Sequence, residues 1–593
     1  MSIVSLSTGE PTVTSDDLAA LCKTNNFGIE KGSAQEAAYL LFANSFDATC
    51  KTIHDLPEYH DPRLAPIAVE GGKRTFHRLD EGDNPLNGWA HKTSLKSADH
   101  AARNGALAGR TIAFKDNVSI ARLPLGLGCS PRHFEGGRHP ISTIDASVVA
   151  RSLAAGATVK GTATCENFSM FAVSFTSDSG VVHNAWLPGY ATGGSSSGCG
   201  ALVSIRDVEQ ARESGRDTRD YPLGEGVDMA IGGDQGGSIR LPASYSGIYG
   251  LKPTHGLVPY TGIASLNPMI DHAGPMARTV DDIALLLGVV AGYDGMDMRM
   301  TPESPLRHQV PDYFADLQAW VAEKHAANEW DSHQSANGLR FGMIRESFEM
   351  PGLDPDVTRT VREAARRFAA LGADVKDVSI PMHSLGAAIW TVAARPAMPH
   401  NLANHAPDLL AHPLPGLDPL PVDQGFFDIL IKRNPAVINV LLNTAHMRRK
   451  YGPALARKAM MHVHQLRAAY DEALKEFDVL ITPVNPTVGP AHPPSTLRRD
   501  ENADGSAENM MDLFERVIGS TLNTSPFNCT GHPAMSVGWG LTKDGRGKLP
   551  VGMQLVAKRW DEGSILKAAK AWEMGGRWQD HAIGTEVGGE AKL

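Results

Sequence analysis

The sequence is poor in several features that would have pointed to a specialised class of protein. It has six cysteines in 593 residues (Cys22, Cys50, Cys129, Cys165, Cys199 and Cys529), none in CxxC spacing. Neither a disulfide framework nor a zinc cluster is therefore expected, and a reducing compartment fits. No apolar run approaches the roughly 20 residues that span a bilayer. The start Met1-Ser2-Ile3-Val4-Ser5-Leu6 lacks a basic segment followed by a long apolar one. There is no basic excess either: the formal net charge is -10, which gives no electrostatic reason to expect nucleic acid or an anionic membrane surface. No Gly-Lys-Ser/Thr closes either glycine cluster, so neither is a Walker loop. These absences predict a cytoplasmic protein with a small-molecule partner, no nucleic acid, no membrane, no metal and no cofactor. The final Ala591-Lys592-Leu593 is close to the Ser-Lys-Leu peroxisomal address, which would matter in a eukaryote.

What is present reads as a large folded chain. Apolar residues make up 42% and charged residues 21%, near the globular average. The length implies one large domain with one or two smaller ones. Residues 14 to 60 read as helices, with a capping box at Ser33 and Glu36 and an apolar stripe through Ala38, Leu41, Phe42, Ser45 and Phe46 that needs a cover. Residues 70 to 100 are polar and turn-rich, which predicts a linker or arm and a first boundary at 95. From Thr111 strand and helix alternate, the rhythm of a sheet covered by helices. Arg206 to Gly226 reads as a surface insertion. A second αβ segment has a well-signalled helix, with Asp354 as N-cap, Pro355 at its first position and Gly372 as its stop. The division expected is 1–95 helical, 96–336 core, 337–465 a smaller inserted α/β domain, and 466–593 the rest of the core.

The chemistry concentrates at Gly232-Gly233-Asp234-Gln235-Gly236-Gly237-Ser238-Ile239-Arg240, where an apolar strand runs into a glycine nest carrying one serine. Glycines let several backbone N–H groups approach one point, so a serine there can attack a carbonyl while amides hold the oxyanion. Upstream lie Gly193-Gly194-Ser195-Ser196 and, at the end of the strand Thr111-Ile112-Ala113-Phe114, Lys115-Asp116. A lysine can act as a base near pH 7 only if its ammonium is destabilised by about 3 pKa units, roughly 4 to 5 kcal/mol, which requires burial.

These three motifs, in this order, resemble the amidase signature family of Ser-cisSer-Lys amidases. With Asp271-His272-Ala273-Gly274-Pro275 and Thr524-Ser525-Pro526-Phe527-Asn528-Cys529-Thr530-Gly531-His532-Pro533, they are similar in pattern to bacterial nitrile-pathway enantioselective amidases. The resemblance implies an α/β/α layered core around a mixed, twisted sheet and a homodimer. It makes Ser238 the nucleophile, Ser195 the bridging serine on a cis peptide, and Lys115 the base. The N–H groups of Gln235, Gly236, Gly237 and Ser238 become oxyanion donors, with Gln235 also meeting substrate. Asp234, Arg240 and Ser196 become supports, and Met170 and Phe171 candidates for the acyl pocket. The activity implied is hydrolysis of a carboxamide through an acyl-enzyme; esters, anilides and carbamates are the runner-up substrates.

The chain departs from the family at Gly233, where Thr is usual, at Ser197, which replaces a glycine, and in the 206–226 insertion. Competing readings are weaker. Gly194-Ser195-Ser196-Ser197-Gly198 is formally a nucleophile elbow, but Trp186 to Thr192 before it reads as loop rather than strand. His462 and His464 stand at i, i+2 on a helix and point apart. Cys199 and His532 read as structural. An idle assembly subunit, or the glutaminase subunit of the tRNA-dependent amidotransferase, is the alternative of another class.

Overall fold

A computed structural model describes the chain from Val4 to Trp578, apart from residues 58, 60, 216, 218, 400–413, 415, 418–420, 495, 497–505, 542–548, 575 and 577. The carboxy-terminal tripeptide lies outside the described residues. Two compact units are present, Met1–Arg63 and Leu64–Leu593.

The first unit is helical. α1 (Ser15–Thr24) starts at a reciprocal box between Thr14 and Asp17, and α2 (Ala34–His54) at Ser33, whose hydroxyl accepts the Glu36 N–H at 3.1 Å. The predicted stripe on α2 is only partly covered. Ser45 is buried and accepts the Ser7 N–H at 2.9 Å, whereas Leu41, Phe42 and Phe46 remain exposed.

The second unit is built on one eleven-stranded mixed sheet. Its strands are β1 (Trp89–Leu95), β2 (Thr111–Lys115), β3 (Thr158–Ala163), β4 (Met229–Asp234), β5 (Tyr249–Lys252), β6 (His272–Ala277), β7 (Arg340–Ile344), β8 (Asp374–Val378), β9 (Val479–Pro483), β10 (Ala534–Leu541) and β11 (Pro550–Val556). Their order is β1-β3-β2-β4-β6-β5-β10-β11-β9-β7-β8. β3, β2 and β4 run parallel, as do β9, β7 and β8; the other pairs are antiparallel.

The central strands are apolar on both faces because helices cover both. Ile112, Phe114, Met229 and Ile231 face α3 (Ser147–Ala154) and α6 (Val280–Val290) through Val148, Val149, Leu153, Ile283 and Leu287. Ala113 and Ala230 face α4 (Ser197–Glu213) and α5 (Arg240–Ser246) through Cys199, Leu202, Val203 and Ala243. This is the three-layered α/β architecture expected. The helix Pro355–Ala370 is capped by Asp354 as predicted and buries Val357, Val361, Ala364 and Phe368.

Three boundaries move. Residues 64–95 belong with the large unit rather than with the helical front, because the predicted arm contains β1, which pairs with β3, and Val69 and Leu95 join the main core. The segment 337–465 carries no sheet of its own: β7 and β8 extend the central sheet through β9. The supposed surface insertion begins inside α4, which runs on to Glu213 and buries Asp207, Val208 and Ala211, while Leu223 and Val227 pack beside it.

Candidate active site

Alternation along β2 decides where Lys115 points. Ile112 and Phe114 face one layer of helices, so Lys115, like Ala113, turns to the other, toward the start of α4. Its side chain is wholly buried and its Nζ donates to Ser195 Oγ at 2.8 Å. Burial pushes the Lys115 pKa down; Cys165, Cys199, Asp234 and Glu166 oppose this. The two cysteines do so weakly as charges, since burial raises both thiols, Cys199 to about 12. Burial thus shifts the Lys115 amine toward its neutral form beside the Ser195 hydroxyl.

Ser195 follows a cis peptide bond after Gly194. Its hydroxyl has one hydrogen and two acceptors within reach, the Lys115 amine and the carbonyl of Ser169 at 2.6 Å. Phe168 and Ser169 both hold left-handed backbone, φ 53° and 55°, and this turn aims the Ser169 carbonyl inward. Neighbouring Ser196 donates its N–H to the Ser238 carbonyl at 3.3 Å, and its hydroxyl bridges the N–H and C=O of Gly233. Ser238 thus lies one residue across from Ser195. Unlike Lys115 and Ser195, Ser238 is not fully buried.

The nest that carries Ser238 is held by its carboxylate and by its carbonyls. Asp234 accepts from the N–H groups of Gly237 at 2.7 Å and Ile239 at 3.0 Å, and pairs with Arg240 at 2.9 Å. Burial would raise the Asp234 carboxyl, but the Arg240 guanidinium overrides it and holds the group ionised. Arg240 is itself spent on Thr524 O, Gln554 Oε1 and Asn528 Oδ1. The Gln235 carbonyl accepts the indole N–H of Trp390 at 2.9 Å, and the Gly236 carbonyl accepts the Thr524 hydroxyl at 2.6 Å. Each carbonyl turned outward turns the next N–H the other way. One predicted donor is thereby corrected: the Gly237 N–H is taken by Asp234, while those of Gln235, Gly236 and Ser238 have no acceptor among the described residues. Gly237 must be glycine, since its φ is 139° and a Cβ would lie 2.5 Å from Thr524 Oγ1.

The two acyl-pocket candidates separate. Met170 is half-buried and packs on the cluster that also takes Trp390, whereas Phe171 turns away against Phe175. Ser197, a departure from the family pattern, donates to Glu166 Oε1 at 2.9 Å. Glu166 also accepts the N–H and hydroxyl of Thr176, yet burial raises its carboxyl to about 7. Glu166, Ser169, Trp390 and Asn434 gave no signal in the sequence; Thr524 and Asn528 sit in the carboxy-terminal motif already noted. Among the described residues no three His, Cys, Asp or Glu side chains converge as metal ligands, and His462 bonds to Gln465. Among them, too, no helix is long and apolar enough to cross a membrane.

The structure thus brings a buried lysine amine, the serine hydroxyl bonded to it and a glycine nest carrying a second serine to one place, and comparison with known proteins gives the family. The family model described as Amidase matches residues 73–215 and 224–566. The chain is 32% identical over 584 residues to an enantioselective amidase of Rhodococcus rhodochrous, covering 96% of both chains. It is 33% identical over 477 residues to a glutamyl-tRNA(Gln) amidotransferase subunit of Synechococcus, covering 79% of this chain and 84% of that one. In structure it is similar to the corresponding amidotransferase subunit of Thermotoga maritima, with a TM-score of 0.59 at 24% identity over 83% and 88% of the chains. The chain belongs to the amidase signature family and is an amidase. The family match leaves residues 216–223 uncovered, within the segment read as an insertion.

Proposed function

We propose that the chain hydrolyses carboxamides through an acyl-enzyme on Ser238, with Ser195 as proton bridge and Lys115 as base. The observation that carries this reading is the buried Lys115 amine 2.8 Å from Ser195, next to a glycine nest whose Ser238 is only half-buried. Ser238 Oγ attacks the carbonyl carbon as its proton passes to Ser195 and the Ser195 proton passes to Lys115. The N–H groups of Gln235, Gly236 and Ser238 hold the oxyanion, donors each worth about 3 kcal/mol in such sites. The tetrahedral intermediate then collapses, the C–N bond breaks, and the proton returns through Ser195 to the departing amine. Water repeats the sequence on the ester.

The Ser169 carbonyl governs the resting state. When Lys115 is charged it donates to Ser195, whose hydrogen goes to Ser169; when Lys115 is neutral that hydrogen is free to turn to Nζ. The near-complete span shared with an enantioselective amidase supports a free-standing enzyme over an amidotransferase component. The exposed row Tyr39, Phe42, Phe46 and Ile53 on α2 supports a homodimer. A panel of aliphatic, aromatic and carbamate substrates, assayed with the wild type and Ser238→Ala, tests the reading: carboxylate and amine should form together with the wild type and not with the variant.

A further inference from the structure

A cavity of about 930 Å³ opens beyond the carboxyl ends of β2 and β3, walled in part by the helix Gln424–Arg433. Asp116 and Cys165 line it, whereas their neighbours Lys115 and Glu166 do not, and neither do Ser195 and Ser238. Its lining is thus distinct from that of the catalytic nest, and its size suits a small-molecule ligand. The wall carries both signs of charge, which do not neutralise one another. Arg132, Lys432 and Arg433 have no side-chain hydrogen bond or ion pair among the described residues. Arg78 donates to two imidazoles, at 3.4 Å to His91 Nε2 and 3.5 Å to His139 Nδ1. His139 Nε2 meets the Cys129 carbonyl and so carries the ring hydrogen, which leaves Nδ1 as a neutral acceptor and Arg78 without a counter-ion there. Of the carboxylates, Glu81 and Asp178 line the wall too, and Asp428 accepts from Gln424 at 2.7 Å.

Asp116 differs from these, being only 3% exposed. Its Oδ2 accepts the Gly128 N–H at 3.4 Å, but its Oδ1 has no hydrogen-bond partner among the described residues, and His91 Nδ1 stands off at 3.7 Å. An exposed guanidinium is satisfied by water, whereas a buried carboxylate oxygen without a donor is costly. That oxygen suits a cationic donor, and the partnerless side chains of Arg132, Lys432 and Arg433 suit an anion. We propose that the cavity binds a small zwitterion, an aminocarboxylate whose ammonium donates to Asp116 Oδ1 and whose carboxylate is held by Arg132, Lys432 and Arg433. A simple anion leaves Asp116 unpaired, and a simple amine leaves the three cations unpaired. Only a ligand with both groups satisfies both ends, through charge-assisted hydrogen bonds.

The test is calorimetric titration of the full-length enzyme with straight-chain aminocarboxylates from glycine to 8-aminooctanoate, and with the plain carboxylate and the plain amine of each length. None of these probes contains an amide or ester bond to hydrolyse. The best-fitting aminocarboxylate should bind about tenfold or more tightly than either single-charge analogue. Asp116→Asn should abolish its advantage over the carboxylate. Arg132→Met with Arg433→Met, which breaks no bond among the described residues, should abolish its advantage over the amine. Both readouts are ratios within one variant, so a partly unfolded sample does not mimic them. The same aminocarboxylate should leave KM for a neutral amide substrate unchanged. No binding by any aminocarboxylate, equal binding of the three kinds of probe, or ratios unchanged in the variants would overturn the site. Competition with the amide would also overturn it, by placing the ligand in the catalytic nest.

Discussion

Asn434, the cap of the helix Pro435–Tyr451, donates through Nδ2 to the carbonyls of Met170 at 2.7 Å and Asn167 at 3.1 Å. Ser169, whose carbonyl meets Ser195, lies between those two residues. A residue remote in sequence thus holds the left-handed turn that sets the resting position of the bridging hydroxyl. Asn434→Ala should lower kcat by about tenfold with little change in KM. Its stability should fall by roughly 2 to 4 kcal/mol, for two hydrogen bonds and a cap. Asn434→Asp restores the cap but faces a carboxylate to two carbonyls, so denaturant titration should show a smaller stability loss while activity stays low.

Trp390 gives a second prediction. Its indole N–H fixes the Gln235 carbonyl, and its ring approaches Gly236 so closely that a Cβ there would lie 3.1 Å from it. Trp390→Phe keeps much of the packing and removes the donor. The cost should be about 1 kcal/mol, or roughly fivefold in kcat, because the freed peptide unit carries the Gly236 N–H. An unchanged kcat would mean that the nest is rigid without it.

The pH dependence follows from Lys115 and Glu166. Activity should rise with pH as Lys115 loses its proton, with a midpoint below the ordinary lysine value because burial favours the neutral amine. Glu166, ionising near 7, adds negative charge close to Lys115 and opposes that shift. Glu166→Gln should therefore move the rising limb toward acid. For stability the sign is the reverse of a salt-bridged carboxylate. The folded pKa of Glu166 lies above the unfolded one, so its contribution is fully present below about 4.5 and is lost as pH rises through about 7. Melting curves from pH 4 to 8 should show this loss, about 3 kcal/mol, in the wild type and not in Glu166→Gln.

The Asp234–Arg240 pair is fully buried, so removing one partner strands the other. Arg240→Met should cost roughly 3 to 5 kcal/mol of unfolding free energy. Arg240→Lys should recover little of it, since one ammonium cannot replace a fork that reaches Asp234, Thr524, Gln554 and Asn528 together.

How much of this the chain disclosed beforehand varied with the range of the interactions. The short strand before Lys115 and the glycine cluster around Ser238 announce themselves, because apolar runs and glycines are local signals. So does the Asp354–Pro355 helix start. The inclusion of residues 64–95 in the large unit did not show, because β1 mixes Trp89 and Leu95 with polar residues and is held by pairing to β3. Trp390 and Asn434 were silent for a different reason. Each acts through contacts 155 and 264 or more residues away in sequence, on backbone carbonyls that any residue could supply. The loss of the Gly237 donor was equally illegible, since it depends on which way one peptide plane is turned.

The central claim is that Ser238 carries the acyl group. Its most direct test is to quench the enzyme with an amide or ester substrate in the steady state, digest it and locate the added mass. The account predicts the acyl group on Ser238, and none on that peptide in Ser238→Ala. An acyl group on Ser195 or Cys199, or turnover with no acylated residue, would contradict it.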